Sequence, residues 1–316
     1  MKNSKPPVIC LIGPTASGKT DLACALYDVL PLEIISIDSA QIYQGLDIGS
    51  AKPDREFLAR YPHHLIDILP PEASYSAGDC QRDVARLIAD IHARERVPLL
   101  AGGTMLYYNA IFAGLADLPG ADAALRAALE ARLRDEGLAA LHAELAARDP
   151  QSAARIHAND PQRLLRAHEL MILTGKTPSE LYAAQSQSAP PWRTLTLALL
   201  PDRALLHARI AQRFHAMMAA GFLEEVEQLR ARPQLTAQHP SMRSVGYRQL
   251  WQHLDGETTR DEAVELGIIA TRQLAKRQIT WMRNRLGRTL NPHVLDPLAA
   301  DAQQTALALA RQHLHH

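Results

Sequence analysis

No excess of either charge marks this chain. Its 34 Lys and Arg balance 34 Asp and Glu, so bulk electrostatics do not announce a nucleic-acid partner. Cysteine is scarce: Cys10, Cys24 and Cys80 form an odd, scattered set without C-x-x-C spacing. That speaks against a disulfide framework or a zinc site and fits a reduced cytosol. No apolar run approaches the length of a membrane span. The opening "MKNSKPPVICLIG" carries no small-residue cleavage site and reads as a first strand. Internal repeats and low-complexity tracts are missing too. The 47 % hydrophobic and 22 % charged residues are ordinary for a globular chain, and 316 residues favour about two domains.

Apolar runs of strand length are present at Val8–Ile12, Glu33–Ile37, His64–Leu69, Val97–Ala101 and Leu195–Leu200. Helix-compatible stretches, Lys19–Leu30 and Gly78–His92 among them, alternate with the first four. Near-continuous apolar strands separated by helices predict a parallel sheet covered on both faces. About ninety residues separate the fourth and fifth runs, far more than an ordinary connection. They are rich in Ala, Leu, Arg and Glu, and "PQRLLRAHELMILTG" ends on Gly175 as a helix stop. The sequence therefore predicts a helical insertion over 118–191, closed by "SAPPW", within a core formed by 1–117 and 192–316.

Ligands of an open parallel sheet bind outside the carboxyl ends of its strands. The loop after the first strand, Gly13-Pro14-Thr15-Ala16-Ser17-Gly18-Lys19-Thr20, fits G-x-x-x-x-G-K-[ST] at every fixed position. Its amides can approach phosphate oxygens, Lys19 adds a cation, and Thr20 can ligate magnesium at a helix start. Whether the phosphates belong to ATP or to a diphosphate leaving group is open at this point. Asp38, after the second strand, has three readings: a magnesium ligand, a base facing an acceptor, or a helix cap. The Gly102-Gly103-Thr104 turn allows close backbone approach and offers the Thr104 hydroxyl.

One stretch breaks the charge balance. From Ile268 to Pro292 there are six basic residues, Arg272, Lys276, Arg277, Arg283, Arg285 and Arg288, and no acidic ones. On a helix, Arg272, Lys276 and Arg283 share one narrow face. That face is either a phosphate-tracking stripe or a solubilising surface. Trp281, beside Ile279 and Met282, reads as core packing or as a base-stacking residue.

Taken together, "GPTASGKT" (Gly13–Thr20), "DSAQIYQGLDIGSAKP" (Asp38–Pro53), "HHLIDIL" (His63–Leu69), "AGGTMLYY" (Ala101–Tyr108), "NDPQRLLRAHE" (Asn159–Glu169), "SVGYRQL" (Ser244–Leu250) and "ATRQLAKRQITWMRN" (Ala270–Asn284) resemble the tRNA dimethylallyltransferases, also called tRNA isopentenyltransferases. These blocks span nearly the whole chain in one order. Gly78, Cys80 and His168 depart from the family pattern.

The resemblance implies a P-loop NTPase-like α/β fold, a parallel sheet with helices on both faces plus an inserted all-helical domain. It implies transfer of a dimethylallyl group from dimethylallyl diphosphate to the exocyclic amine of the adenine 3′-adjacent to the anticodon. The loop would then hold the diphosphate of a prenyl donor, with Mg²⁺ on Thr20 and Arg213 as a clamp. Asp38 would be the general base and Thr104 would orient the acceptor. By the same resemblance, tRNA contacts fall on Asp38, Ser39, Ala40, Gln41, Thr104, Arg126, Gln162, Arg163, Leu164, Leu165, Arg166, Arg243, Ser244, Val245, Gly246, Tyr247, Arg248, Arg272 and Lys276. The partner would be the tRNA anticodon stem-loop, its target adenine flipped into a channel, and the enzyme a cytoplasmic monomer without a membrane. A small-molecule kinase or an NTP-gated RNA-binding protein would share the phosphate loop.

Overall fold

Val8 to Ile12 are fully buried, and a strand without polar alternation has to be covered on both sides. This strand, β1 (Pro7–Ile12), pairs in parallel with β4 (Val97–Gly102) on one side and β5 (Arg193–Leu199) on the other. β2 (Leu32–Ile37) lies beyond β4, with β3 (His63–His64) at that edge. β6 (His293–Leu295) pairs with β5 at the opposite edge. The order is β3-β2-β4-β1-β5-β6. A computed structural model describes residues 5–114, 118–120, 122–184 and 190–315 of the chain. It divides into two compact units, 1–113 with 189–316, and 114–188.

In the sheet unit the helices before the division are α1 (Lys19–Tyr27), α2 (Arg55–Arg60), α3 (Ala77–Ala93) and α4 (Met105–Ala113). The second unit holds α5 (Ala123–Arg148), α6 (Pro150–Ala153), α7 (Pro161–Thr174) and α8 (Pro178–Ala183). Back in the sheet unit follow α9 (Arg203–Ala219), α10 (Phe222–Arg230), α11 (Tyr247–Leu254), α12 (Arg260–Trp281), a π-helical turn at Met282–Leu286, α13 (Gly287–Leu290) and α14 (Ala302–His315).

Alternate side chains of the strands supply two cores. Cys10, Ile12, Ile37 and Leu100 pack with Val84 and Ile88 of α3 and Tyr108 of α4. Ile9, Leu11, Ile34 and Leu99 pack with Leu22 and Leu26 of α1 and Ala306 of α14. Cys80, a departure from the family pattern, is buried in the first of these cores. A third cluster joins α9 to α12, where Phe214, Phe222, Tyr247 and Leu250 gather around Ile42 and Leu46.

The third strand differs from the sequence reading. Only His63 and His64 enter the ladder, against Ile34 and Ile35. Leu65 (φ 66°) and Asp67 (φ 55°) turn left-handed, which an extended strand does not accommodate. Buried Lys52 explains the turn: its ammonium is shared by the Asp67 and Asp47 carboxylates and the Tyr43 carbonyl. β6, only three residues long, is too short to be announced by an apolar run.

In the helical unit, Leu129, Leu141 and Leu145 of α5 pack on Leu164, Leu165 and Met171 of α7. Asp160 caps α7 by accepting from the Arg163 amide at 3.0 Å, and Gly175 (φ 69°) ends it. His168 is buried, its Nε2 donating to the Leu141 carbonyl at 2.9 Å. That bond satisfies a buried imidazole nitrogen. Of the "SAPPW" closure, residues 188 and 189 lie outside the described residues.

Candidate active site

β1 ends at Ile12 and the chain turns through Gly13–Gly18 into α1. Ala16 (φ 62°) and Gly18 (φ 86°) are left-handed, the alternation that aims successive amides into an anion-binding concavity. A Cβ on Gly13 would lie 2.6 Å from Ser17 Oγ, so the close turn requires glycine. Ser17 is buried and its hydroxyl has no hydrogen-bond partner among the described residues. Lys19 Nζ donates to the Gly13 and Pro14 carbonyls at 3.1 and 2.7 Å. Burial lowers the Lys19 pKa to about 8, with Asp38 opposing and Arg213 adding to that shift. Thr20 is exposed at the start of α1.

β4 lies between β1 and β2, so the loops leaving the three strands are neighbours. Asp38 Oδ1 accepts from the Ala40 amide at 2.9 Å and from the Gln41 amide at 3.4 Å. Asp38 therefore caps a turn over 39–42 and not a helix, since the next helix begins only at Arg55; this uses one carboxylate oxygen, and the other has no hydrogen bond among the described residues. Thr104 Oγ1 accepts from the Ser39 amide at 3.0 Å and lies 3.4 Å from Ser39 Oγ. A Cβ on Gly102 would stand 2.1 Å from the Ile37 carbonyl, which fixes glycine there. Gln41 is an anchor: Ser36 Oγ donates to its Oε1 at 3.1 Å, and its Nε2 donates to the Ala51 carbonyl at 3.3 Å.

These loops open on two adjoining cavities. One, about 590 Å³, is lined by Gly18, Lys19, Thr20, Pro53 and Arg209. The other, about 560 Å³, is lined by Tyr75, Tyr107, Met217, Val245 and Trp281. Thr15, Asp38, Gly103, Arg213 and Gln278 line both. The first holds the polar residues of the phosphate loop and the second has an aromatic and aliphatic wall. Tyr75 and Tyr107 meet edge to face at 6.1 Å, and burial pushes both phenols above their ordinary pKa. Arg213 on α9 is half-buried between the chambers; burial lowers its pKa and the Asp38 carboxylate opposes that.

Three residues that bind this region together escaped the sequence reading. Gln278 on α12 accepts from the Thr15 amide at 3.0 Å and donates to the Gly103 carbonyl at 2.8 Å. Buried Glu225 on α10 accepts from the amides of Asp47, Ile48 and Gly49 and from the Tyr247 hydroxyl at 2.6 Å. Lys52 is the third, as described above. One signal for Gln278 was available: it shares a buried helix line with Ala275 and Met282, and a polar residue at a core position needs partners.

The remaining expected site residues are distributed as follows. Arg243 and Arg248 are exposed, Ser244 and Val245 are half-buried, and Gly246 (φ 92°) and Tyr247 are buried. Arg243, Ser244, Val245 and Tyr247 line the aromatic cavity. The basic face of α12 is split: Lys276 and Arg283 are exposed, whereas half-buried Arg272 donates to the His207 carbonyl at 3.4 Å. The π-helical turn also shifts Arg283 from the register of a continuous α-helix. The side chains of Arg285 and Arg288 lie outside the description. In the helical unit, Gln162 and Arg163 are exposed and Leu164 and Leu165 are core. Arg166 bonds buried Glu169 at 2.7 Å and the Pro119 carbonyl at 2.6 Å, and Arg126 pairs with Glu130 at 3.2 Å.

Comparison with known proteins identifies the family. The family model described as IPP transferase matches residues 41–285. A tRNA dimethylallyltransferase of Dichelobacter nodosus is 59% identical over 309 residues, covering 98% of this chain and 97% of its own. The solved full-length tRNA isopentenylpyrophosphate transferase of Bacillus halodurans superposes with TM-score 0.71 at 34% identity, covering 99% of this chain and 97% of that one. A eukaryotic dimethylallyltransferase solved acting on tRNA gives TM-score 0.83 at 26% identity, over 98% of this chain and 80% of its own. With the family model spanning most of its length and a near-full-length relative at this identity, the chain belongs to the IPP transferase family of tRNA dimethylallyltransferases.

Proposed function

We propose that this tRNA dimethylallyltransferase uses its phosphate loop to hold the departing diphosphate and Asp38 to take the proton from the attacking amine. The reaction moves a dimethylallyl group from dimethylallyl diphosphate to the exocyclic amine of the adenine 3′-adjacent to the anticodon. The observation that carries the assignment is the shared boundary of the two cavities. Asp38 and Arg213 line both, so a diphosphate on the polar side leaves its allylic carbon facing the aromatic side.

The carbon–oxygen bond breaks with its electron pair going to the diphosphate, and the amine nitrogen bonds the allylic carbon. Negative charge grows on the leaving group, where the loop amides, Lys19 and Arg213 stabilise it. The proton released by nitrogen goes to the unused oxygen of Asp38, a form of assistance typically giving about 10²–10⁴-fold. Thr104 holds the Ser39 amide at 3.0 Å and so keeps the base loop against the α4 start. The apolar wall of Tyr75, Tyr107 and Met217 suits a five-carbon hydrocarbon.

Thr20 suits Mg²⁺, being an exposed oxygen donor where the loop meets its helix. Among the described residues no group of three or more His, Cys, Asp or Glu could enclose a metal, which fits an ion that keeps waters and binds through substrate phosphates. When bound it would neutralise diphosphate charge. Exposed Arg243, Arg248 and Lys276 in the sheet unit, and Gln162 and Arg163 in the helical unit, supply contacts to the tRNA anticodon arm. The enzyme acts as a monomer in the cytoplasm, where its tRNA substrate is found. No helix among the described residues is long and apolar enough to cross a membrane.

The test supplies labelled dimethylallyl diphosphate, Mg²⁺ and unmodified tRNA, with ATP and AMP as parallel controls. Label entering tRNA without ATP supports the reading. ATP turnover with no label in tRNA overturns it in favour of phosphoryl transfer.

A further inference from the structure

The donor half and the base half of the channel sit on loops of different strands, and the gap between them is spanned by one amide. We infer that Gln278 is a positioning residue that sets the distance between the diphosphate cradle and the Asp38 base. Its Oε1 accepts from the Thr15 amide in the phosphate loop, and its Nε2 donates to the Gly103 carbonyl. Gly103 precedes Thr104, which accepts from Ser39 beside Asp38. The connection therefore runs phosphate loop, Gln278, Gly103-Thr104, Ser39-Asp38, with a hydrogen bond at each step between loops.

Three further observations support this role. The amide orientation is fixed by chemistry, because an N–H can only donate and a carbonyl can only accept. Gln278 is 9% exposed and lines both cavities at their junction. Gly103 is fitted to it, since a Cβ there would stand 2.6 Å from Gln278 Nε2. The Thr15 amide is also committed to Gln278, which leaves diphosphate binding to amides further along the loop. Glutamate would turn the donor to Gly103 into an acceptor, and asparagine is one methylene too short to reach both partners.

The role matters because reacting atoms must meet at about 3–3.5 Å, and a 1 Å misplacement from a group remote from the chemistry can cost about 10²-fold in rate. Loss of Gln278 leaves each half-site built but out of register. The inference rests on the roles assigned above to the phosphate loop and Asp38.

The experiment measures kcat and KM for both substrates, inorganic diphosphate and tRNA affinities, and thermal stability for the unaltered enzyme, Gln278→Ala, Gln278→Glu and Gly103→Ala. Both Gln278 variants should lose about 10²-fold in kcat, with the two affinities within about threefold. Gly103→Ala, which displaces an intact Gln278 side chain, should reproduce that loss, and the Gly103→Ala/Gln278→Ala double variant should be no worse than the poorer single one. Unchanged kcat in the Gln278 variants overturns the inference, as does a rise in diphosphate Kd with kcat intact, which makes Gln278 a donor contact. A loss that merely follows the unfolded fraction, or that adds fully in the double variant, overturns it as well. Absence of transfer by the unaltered enzyme overturns the underlying reading instead.

Discussion

The Ser39 amide donates to Thr104 Oγ1 at 3.0 Å, joining loops 65 residues apart in the chain. The bond brings the residue after the proposed base against the start of α4, at the carboxyl edge of adjacent strands. Replacing Thr104 by Val keeps the shape and removes the acceptor. Transfer should fall by about tenfold, as expected for one hydrogen bond of roughly 1–1.5 kcal/mol, with Ser retaining most of the rate. Equal rates in the Val and wild-type enzymes would remove the hydroxyl from the mechanism.

Asp38→Asn preserves the cap to Ala40 and removes the basic oxygen. Single-turnover transfer is expected to drop by about 10²–10⁴-fold, while tRNA affinity stays within a few-fold. Full activity in this variant would leave the amine proton without an acceptor on this chain.

Lys19 gives the donor site its pH dependence. Burial holds its pKa to about 8 against an ordinary 10.5, so the free enzyme carries this ammonium below pH 8 and loses it above. Diphosphate favours the charged form, and its binding at alkaline pH takes up a proton. Affinity for inorganic diphosphate should therefore fall as pH rises through about 8, by at most tenfold per pH unit from this group. Lys19→Met lacks that component and serves as the reference for the ligand's own ionisation; parallel profiles for the two proteins would exclude Lys19. The unfolded chain keeps the proton to higher pH, so the same group makes folding more favourable between pH 8 and 10.5.

Tyr247→Phe removes one of the hydrogen bonds on the buried Glu225 carboxylate. Bonds to charged groups contribute about 1.5–3 kcal/mol, and urea denaturation should register a loss in that range. A change below about 0.5 kcal/mol would mean that water replaces the phenol.

The exposed basic residues of α12 and the turn after it are tested by salt. Lys276→Gln with Arg283→Gln should weaken tRNA binding and reduce the slope of log affinity against log salt by about 1 per lost phosphate contact. Arg272→Gln should do less, because the Arg272 side chain is tied to the His207 carbonyl. An unchanged slope in the double variant would count against phosphate contact along this face.

What the sequence determined by itself was whatever depends on neighbouring residues. The phosphate loop, the alternation of apolar strands and helices, the positions of Asp38 and Thr104 after their strands, and the end of α7 at Gly175 are all local. Glycine, proline and apolar spacing act on the backbone within a few residues, so short motifs carry them. The third strand was misjudged because "HLIDIL" has strand composition, yet Lys52, 15 residues before Asp67, draws Asp67 into a left-handed turn. Tertiary structure alone decided that Arg272 faces a carbonyl and that Leu164 and Leu165 belong to a core. It alone paired Gln278 with Thr15 and Gly103, 263 and 175 residues away. A buried polar group must find partners wherever the fold supplies them, and no local pattern specifies which carbonyl or amide the fold will bring.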